Sequence, residues 1–235
     1  MTNPNPTEST GRWPIVELRQ YTLHAGRRDT LIELFDREFI ESQEALGIRV
    51  LAQFRDLDAA DRFVWLRGFA NMADRATLLA AFYGGPVWQA HCEPANATMI
   101  DSDDVLLLKP AFADAPAAIE TWQRADTDSA AMGGALIAVF GLAHGLAEAP
   151  PDALVTALAQ ALERACGTHA GAYVTEAAAN NFPPLPVREG ERVFVWIARF
   201  YRPVARDRLA GELRASAHLR PLQVLRLSPT KRSRF

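Results

Sequence analysis

A short apolar stretch occurs twice in this chain, and its repetition restricts the possible folds more than any other feature. Residues 63–69 read FVWLRGF and residues 194–200 read FVWIARF, so four of the seven positions are identical. The aromatic and β-branched residues of each copy predict a buried strand. The two copies are separated by about the length of a small domain, which predicts one module used twice in tandem.

The order of the predicted elements supports two modules. In residues 13–112 the pattern predicts strand, helix, strand, strand, helix, strand, which is a ferredoxin-like unit, and residues 134–235 repeat this order. The predicted strands span residues 15–23, 48–57, 62–69, 105–109, 135–144, 170–176, 192–201 and 222–227. We expect residues 1–12 to be a disordered tail and residues 113–133 to be a linker. The fold class is therefore predicted to be α+β, with two tandem ferredoxin-like modules.

Composition excludes several classes of function. The chain has 235 residues, of which 49% are hydrophobic and 23% charged, as in ordinary globular proteins. A net charge of −3 gives no electrostatic basis for binding nucleic acid, and no apolar run is long enough for a membrane span. Cys92 and Cys166 are too far apart for a metal or redox motif, and no histidine pair has the spacing of a zinc site. With no signal-peptide pattern at the start, we expect a cytoplasmic protein.

Four segments together resemble the NIPSNAP family, within the dimeric α/β-barrel superfamily. They are VELRQYTL at 16–23, VWLR at 64–67 with the Arg75-bearing helix behind it, PVWQ at 86–89, and LRLSPTKRSR at 225–234. The resemblance covers most of the first module and the end of the second. It implies two ferredoxin-like sheets that face each other with helices outside. Here both sheets come from one chain, so the resemblance implies an intrachain pseudo-dimeric α/β barrel with a chamber between the sheets.

Strand alternation then predicts which side chains enter that chamber. If Val16, Leu18, Val64 and Leu66 face the helices, the opposite face carries Glu17, Arg19, Tyr21, Trp65 and Arg67. Two cations, a phenol and an indole in a confined space are suited to a small anionic or aromatic compound. The alternative is that Glu17 pairs with Arg19 or Arg67 and only satisfies a buried face. Similarly, Trp65 and Trp196 can simply fill the core.

His144 ends the first strand of the second module and shares the phase of Arg19 and Tyr21. It is a candidate general base or haem ligand, and the alternative is a solvated histidine at a strand end. The predicted ligand-binding residues are therefore Arg19, Tyr21, Trp65, Arg67, His144 and Trp196.

Three functions stay open at this point. The first is a NIPSNAP-type protein that binds a small molecule, with oxygenase, isomerase or lyase chemistry and no cofactor. The second is a haem-binding barrel of the chlorite-dismutase type, with His144 or His169 as axial ligand. The third is a non-catalytic interaction or scaffold protein, which predicts a barrel interior filled by side chains. A homodimer formed through exposed sheet edges is also open.

Overall fold

A computed structural model describes residues 13–112, 124, 133–142, 156, 159–162, 170–217 and 219–234. Its strands are β1 (Ile15–Leu23), β2 (Arg49–Asp56), β3 (Arg62–Phe69), β4 (Met99–Pro110), β5 (Gly134–Gly141), β6 (Ala170–Thr175), β7 (Val193–Phe200) and β8 (Gln223–Pro229). Its helices are α1 (Arg28–Leu34), α2 (Ile40–Leu46), α3 (Met72–Tyr83), α4 (Pro86–Asn96) and α5 (Pro203–Ala215), and a π-helical turn (Phe35–Phe39) joins α1 to α2. In these ranges no helix has both the length and the apolar character that crossing a membrane requires.

The eight strands form one closed antiparallel sheet, so the predicted α+β class is confirmed. The strand order around the barrel is β1-β3-β2-β8-β5-β7-β6-β4. The first half, β1 to β4, therefore has the order 4-1-3-2, and the second half, β5 to β8, has the order 8-5-7-6. The halves meet along two short seams, β2 with β8 and β4 with β6. Each of these seams has three registered residue pairs, and the homodimer through sheet edges stays a prediction.

Apolar side chains fill the interior of the barrel. All eight strands contribute to this core, including Val16 and Leu18 from β1, Val64 and Leu66 from β3, and Ile137 from β5. Each of these five side chains is almost fully buried. The chamber expected between the sheets is therefore occupied by packed core, which is what the scaffold alternative predicts.

The opposite face of each strand packs against helices. In the first half, Trp65, Phe63 and Tyr21 lie in a second core with side chains of α1, the π-helical turn, α2 and α3. In the second half, Trp196 and Phe194 pack with Leu209 of α5 in a third core. The phase of the strands was predicted correctly, but the assignment of their faces was wrong: Val16, Leu18, Val64 and Leu66 point into the barrel and not to the helices.

Several element boundaries also differ from the prediction. The helix expected between residue 29 and Gly47 is interrupted by the π-helical turn, although Gly47 ends it in a left-handed conformation (φ 103°) as expected. The turn or two of helix expected before Pro94 is α4, which continues through that proline. β5 ends at Gly141, and the expected linker and the helix expected from residue 150 lie mostly outside the described residues.

Candidate functional site

One buried carboxylate, that of Glu17, is surrounded by three arginines between the first-half sheet and its helices. Glu17 Oε2 accepts from Arg19 Nη1 and from Arg67 Nε, both at 2.7 Å, and Glu17 Oε1 accepts from Arg75 Nε at 2.7 Å. All four side chains are at most 1% exposed. We call these four residues the arginine cluster.

Strand register and a helix start bring the arginine cluster together. Glu17 of β1 lies directly opposite Arg67 of β3, and Arg19 is two residues further along the same face. Arg75 comes from the first turns of α3, whose N-terminus is capped by Asn71, since the Asn71 side chain accepts from the Asp74 backbone N–H. The short connection between β3 and α3 therefore fixes Arg75 above the sheet at the position of Glu17.

The arginine cluster carries two positive charges in excess, because one carboxylate faces three guanidinium groups. Burial alone would raise the pKa of Glu17, but Arg67, Arg19 and Arg75 outweigh it and hold that pKa far below its usual range. Burial lowers the pKa of Arg75 and its neighbours Arg67 and Arg19 lower it further, whereas Glu17 acts in the opposite direction. Arginine stays protonated in proteins even so, and the charge excess therefore persists.

Neutral polar groups surround the arginines and satisfy some of their donors. Arg19 Nε donates to the Tyr21 hydroxyl at 3.0 Å. Arg67 Nη1 donates to Gln43 Oε1 at 3.3 Å and to the Tyr83 hydroxyl at 3.4 Å. Burial raises the pKa of the Tyr21 phenol, so this group stays neutral and does not offset the positive charge.

The outermost partners of the arginine cluster come from the second half of the chain. Arg75 Nη1 donates to Asn181 Oδ1 at 2.7 Å and to Asn180 Oδ1 at 3.1 Å, and both asparagines lie in the loop between β6 and β7. The next residue, Phe182, stacks on Tyr83 with ring centroids 6.0 Å apart. A site built on first-half strands is thus covered by a second-half loop.

Three buried donors at this place have no acceptor among the described residues. They are Arg67 Nη2, Arg75 Nη2 and the indole Nε1 of Trp65. The Trp65 ring lies 5.2 Å from the Arg67 guanidinium carbon and 5.7 Å from that of Arg19. Buried donors are almost always paired in native proteins, and each unpaired one is therefore a position where an acceptor from a ligand would be favourable.

An aromatic cavity lies beside the arginine cluster. Its volume is about 30 Å³, and its lining includes Tyr21, Gln43, Trp65, Tyr83 and Trp88. The π-helical turn also presents Phe35 and Phe39 to this cavity, and the Phe35 ring lies 4.8 Å from Trp65 at 66°. A π-helical turn inside an α-helix is a frequent feature of functional sites.

The structure brings together four of the six predicted ligand-binding residues. Arg19, Tyr21, Trp65 and Arg67 lie side by side, although they face the helices instead of the barrel interior. Trp196 lies in the separate third core of the second half. His144 and His169 are outside the described residues. The alternative pairing of Glu17 is also confirmed, since Glu17 bonds to both Arg19 and Arg67.

Sequence reasoning missed the role of Arg75 and of the asparagines. Arg75, Leu79 and Phe82 are the buried residues of α3 and follow helical spacing, so an arginine on an apolar stripe was a usable signal. Asn180 and Asn181 lie more than a hundred positions from Arg75 in the chain, and nothing local to their loop indicates that contact.

A larger cavity, of about 650 Å³, lies between the ends of β4 and β6 and the loop that follows β6. Its charged residues pair with neighbours: Lys109 lies 3.9 Å from Glu176, and Arg188 contacts both Asp104 and Glu191. The unpaired donors of the arginine cluster make that cluster the better candidate for a ligand site.

The first half of the chain matches a known family. The NIPSNAP family model covers residues 16–114, which include the whole arginine cluster, and the predicted resemblance is thereby confirmed. An uncharacterized NIPSNAP-like domain protein from Burkholderia xenovorans is 25% identical, over 44% of this chain and 90% of that chain, with a TM-score of 0.40. No curated protein matches this chain.

Two solved structures resemble nearly the whole chain. A putative monooxygenase from Lactobacillus acidophilus is 12% identical over 94% of this chain and 98% of that chain, with a TM-score of 0.54. A putative monooxygenase from Fusobacterium nucleatum is 6% identical over 95% of this chain and 94% of that chain, with a TM-score of 0.54. At these identities the likeness concerns the fold alone.

Proposed function

We propose that this chain, which carries a NIPSNAP domain at residues 16–114, binds a small anionic compound at the arginine cluster. The observation that carries the proposal is the pair of buried guanidinium nitrogens, Arg67 Nη2 and Arg75 Nη2, that lack an acceptor in the described residues. They belong to a cluster with two positive charges in excess, and an uncompensated buried charge is costly. A carboxylate or a similar anion would supply both the negative charge and the acceptors.

The surroundings favour an anion with an apolar or aromatic part. Tyr21, Trp65, Phe35 and Tyr83 line the adjoining cavity, and such rings enclose flat apolar groups well. A volume of about 30 Å³ holds roughly one water molecule, so a ligand of this kind enters only when lining side chains move. An aromatic carboxylate fits both features and serves as a probe of the site.

We also propose that the barrel is an intrachain pseudo-dimer of two ferredoxin-like modules, residues 13–112 and 134–235. Each half has the same strand order, and Ile15 lies opposite Phe69 as Gly134 lies opposite Phe200. The spacing between β3 and β7 also relates Arg75 of α3 to Arg206 of α5, and both are buried. On this proposal the arginine cluster of the first module has no counterpart at the corresponding described positions of the second module.

Two other functions remain distinguishable from anion binding. The scaffold alternative agrees with the filled barrel interior, but it expects no ligand at the arginine cluster. The haem alternative depends on His144 or His169, outside the described residues, and is tested by the Soret band of a haem titration. If bound anions are also transformed, the open reaction types remain oxygenase, isomerase and lyase chemistry without a cofactor.

Isothermal titration of the purified chain with sodium benzoate tests the proposal, with benzyl alcohol as the uncharged control. We expect saturable binding of benzoate and none of benzyl alcohol at the same concentrations. Binding of benzoate should also stabilise the fold by about 2.7 kcal/mol when its concentration is a hundred times Kd.

Arg75→Met and Arg206→Met are a matched pair for this experiment, since the two arginines hold corresponding positions after β3 and β7. Arg75→Met should weaken benzoate binding at least tenfold, about 1.4 kcal/mol, whereas Arg206→Met should leave it unchanged. Thermal melts of both variants check that they are folded. A parent chain that binds none of benzoate, acetate and phosphate contradicts the proposal.

A further inference from the structure

We infer that residues 180–182 of the second half are a lid on the arginine cluster, and that the Asn181 side-chain oxygen holds the place on Arg75 that a ligand's carboxylate takes. The ligand class that follows is a planar aromatic carboxylate. The inference rests on the proposed function, because it assigns an internal competitor to the same site.

The contact between Asn181 and Arg75 has the geometry of a carboxylate contact. Asn181 Oδ1 lies 2.7 Å from Arg75 Nη1, and Asn181 Nδ2 donates to the Met72 backbone oxygen at 2.5 Å. An amide oxygen accepts the same hydrogen bond as a carboxylate oxygen but carries no formal charge. The guanidinium is charged in both contacts, but only a carboxylate adds a negative charge against the excess positive charge of the arginine cluster, so a ligand carboxylate can displace this amide from Arg75.

The loop is organised as one piece, and both asparagines reach from it to Arg75, with Asn181 making the shorter contact (2.7 Å against 3.1 Å). Asn180 holds the loop together: its backbone N–H donates to Glu189 Oε1 at 2.8 Å, and its side-chain nitrogen donates to the Leu185 oxygen at 2.9 Å. The Asn181 side chain, in contrast, has its described bonds to Arg75 and Met72 of the first half. Because Asn181 is exposed while Arg75 is buried, the asparagine forms the outer layer over the arginine.

Phe182 supplies the apolar half of the lid. Its ring stacks on Tyr83, with centroids 6.0 Å apart and an interplanar angle of 27°. Tyr83 is also a wall of the small cavity. If the loop lifts as a unit, both Arg75 and the face of Tyr83 become accessible together. A ligand with a carboxylate and an aromatic ring can then replace Asn181 and Phe182 at the same time.

Two substitutions at one position test the lid, with benzoate as the probe and isothermal titration as the measurement. Asn181→Asp places a fixed carboxylate against Arg75, so benzoate affinity should fall at least tenfold. Asn181→Ala removes the competitor, and benzoate affinity should rise severalfold. Benzoate affinity in Asn181→Asp equal to that of the parent would overturn the inference, as would affinity in Asn181→Ala that is equal to or lower than the parent's.

A second measurement separates the lid from the proposed function. Asn181→Asp gains an ion pair with Arg75 and loses the donor to the Met72 oxygen, so its melting temperature relative to the parent should fall as the pH drops below about 4, where aspartate becomes protonated. A parent that binds none of benzoate, acetate and phosphate overturns the proposed function and the lid together, whereas a parent that binds acetate or phosphate but no benzoate overturns the lid alone. A parent that binds benzoate, with an Asn181→Asp variant that shows neither the weaker binding nor the acid-sensitive stabilisation, overturns the lid alone.

Discussion

The two halves of the barrel have the same strand order but differ in what they bury under their helices. In the first half, Glu17 of β1 lies opposite Arg67 of β3; at the corresponding place in the second half, Leu136 lies opposite Ala198. The next helix-facing residue is Arg19 in β1 and Ala138 in β5. The comparison teaches that this sheet packs against its helices without ionic side chains at these strand positions, because the described second half does so.

Buried ionic groups therefore need an explanation other than the fold. Replacing a buried ion pair by well-packed apolar residues is often neutral or stabilising, whereas removing one partner alone is strongly destabilising. The second half has an apolar core where the first half has ionic side chains. It therefore corresponds to replacement of the whole ion pair by apolar residues. In the first half the charge excess of the arginine cluster is a feature that the architecture does not require, which is consistent with a ligand.

Arg75 and Arg206 sharpen the contrast, since both follow the repeated strand and both are buried. Arg206 Nη1 donates to the Leu227 backbone oxygen at 3.1 Å, and its Nε donates to the Asp207 carboxylate at 2.8 Å. Its charge is thus balanced by an adjacent residue. Arg75 shares a single carboxylate with two other arginines, and the same helix position therefore leaves donors unpaired in one half only.

The largest expected effect is that of Glu17→Gln, which leaves three buried cations with no carboxylate. We expect it to lower the free energy of unfolding by about 3–5 kcal/mol, measured by urea denaturation at pH 7. The control is Leu136→Met at the corresponding place in the second half, with a loss below about 1.5 kcal/mol.

The Glu17 effect should also depend on pH. Because the pKa of Glu17 is lowered in the folded state, its stabilisation is complete above the unfolded value of about 4.5 and is lost as the pH falls below it. The difference between parent and Glu17→Gln should therefore shrink in acid. Equal losses for Glu17→Gln and Leu136→Met would mean that the two halves are energetically alike, and the comparison would fail.

A smaller effect is expected from Gly134→Ala, which tests how the second half accommodates its arginine. A Cβ at Gly134 would lie 2.1 Å from Arg206 Nη1 and 2.6 Å from the Leu227 oxygen. We expect a loss of about 1–3 kcal/mol from this overpacking. Gly211→Ala is the control, because a Cβ there meets nothing within 4 Å and should gain about 0.5–1 kcal/mol as a better helix former. Thermal melts that show the same change for both would contradict this account of Arg206.

The smallest effect is expected from Asp36→Asn. Asp36 lies where the C-terminal residues of the second half contact the first half. Arg232 donates to the Asp36 backbone oxygen at 2.7 Å and pairs with Glu41. Burial raises the pKa of Asp36 to about 6, with Arg232 opposing. Between the unfolded value of 3.8 and about 6 the folded chain binds more protons than the unfolded chain, and the stability falls as the pH rises through this window.

Asparagine does not titrate. Asp36→Asn should therefore have a higher melting temperature than the parent at pH 8, and this difference should be absent at pH 3.5. Melting temperatures of both chains across this range check the prediction. A difference that does not vary with pH would show that burial does not raise the pKa of Asp36 at the junction between the halves.

Much of this architecture could be predicted from the sequence, because it depends on local patterns. Alternation gave the correct phase of β1 and β3, and the repeated strand indicated two corresponding halves. Alternation does not say which face meets the helices, since Val16 and Glu17 both end up buried. The polar face turned to the helices, where Gln43, Tyr83 and Arg75 supply partners that the apolar barrel interior lacks.

The candidate site was only partly predictable, for a reason of distance along the chain. Arg19, Tyr21, Trp65 and Arg67 share one sheet face and could be grouped by period two. The contact of Asn181 with Arg75 depends on how the two halves meet, and no local propensity encodes it. The π-helical turn that brings Phe35 and Phe39 to the cavity likewise has no signal in the helical spacing of its residues.

The two seams of the closed sheet have a consequence for how the molecule comes apart. β2 joins β8, and β4 joins β6, through three registered residue pairs each, whereas β1 and β3 share eight. Separating the halves would break these short junctions of the sheet together with the side-chain contacts between the halves, would leave four strands with unbonded backbone and would uncover the central core to water. We therefore expect loss of either half to be coupled to loss of the other, so that the described barrel unfolds as one cooperative unit.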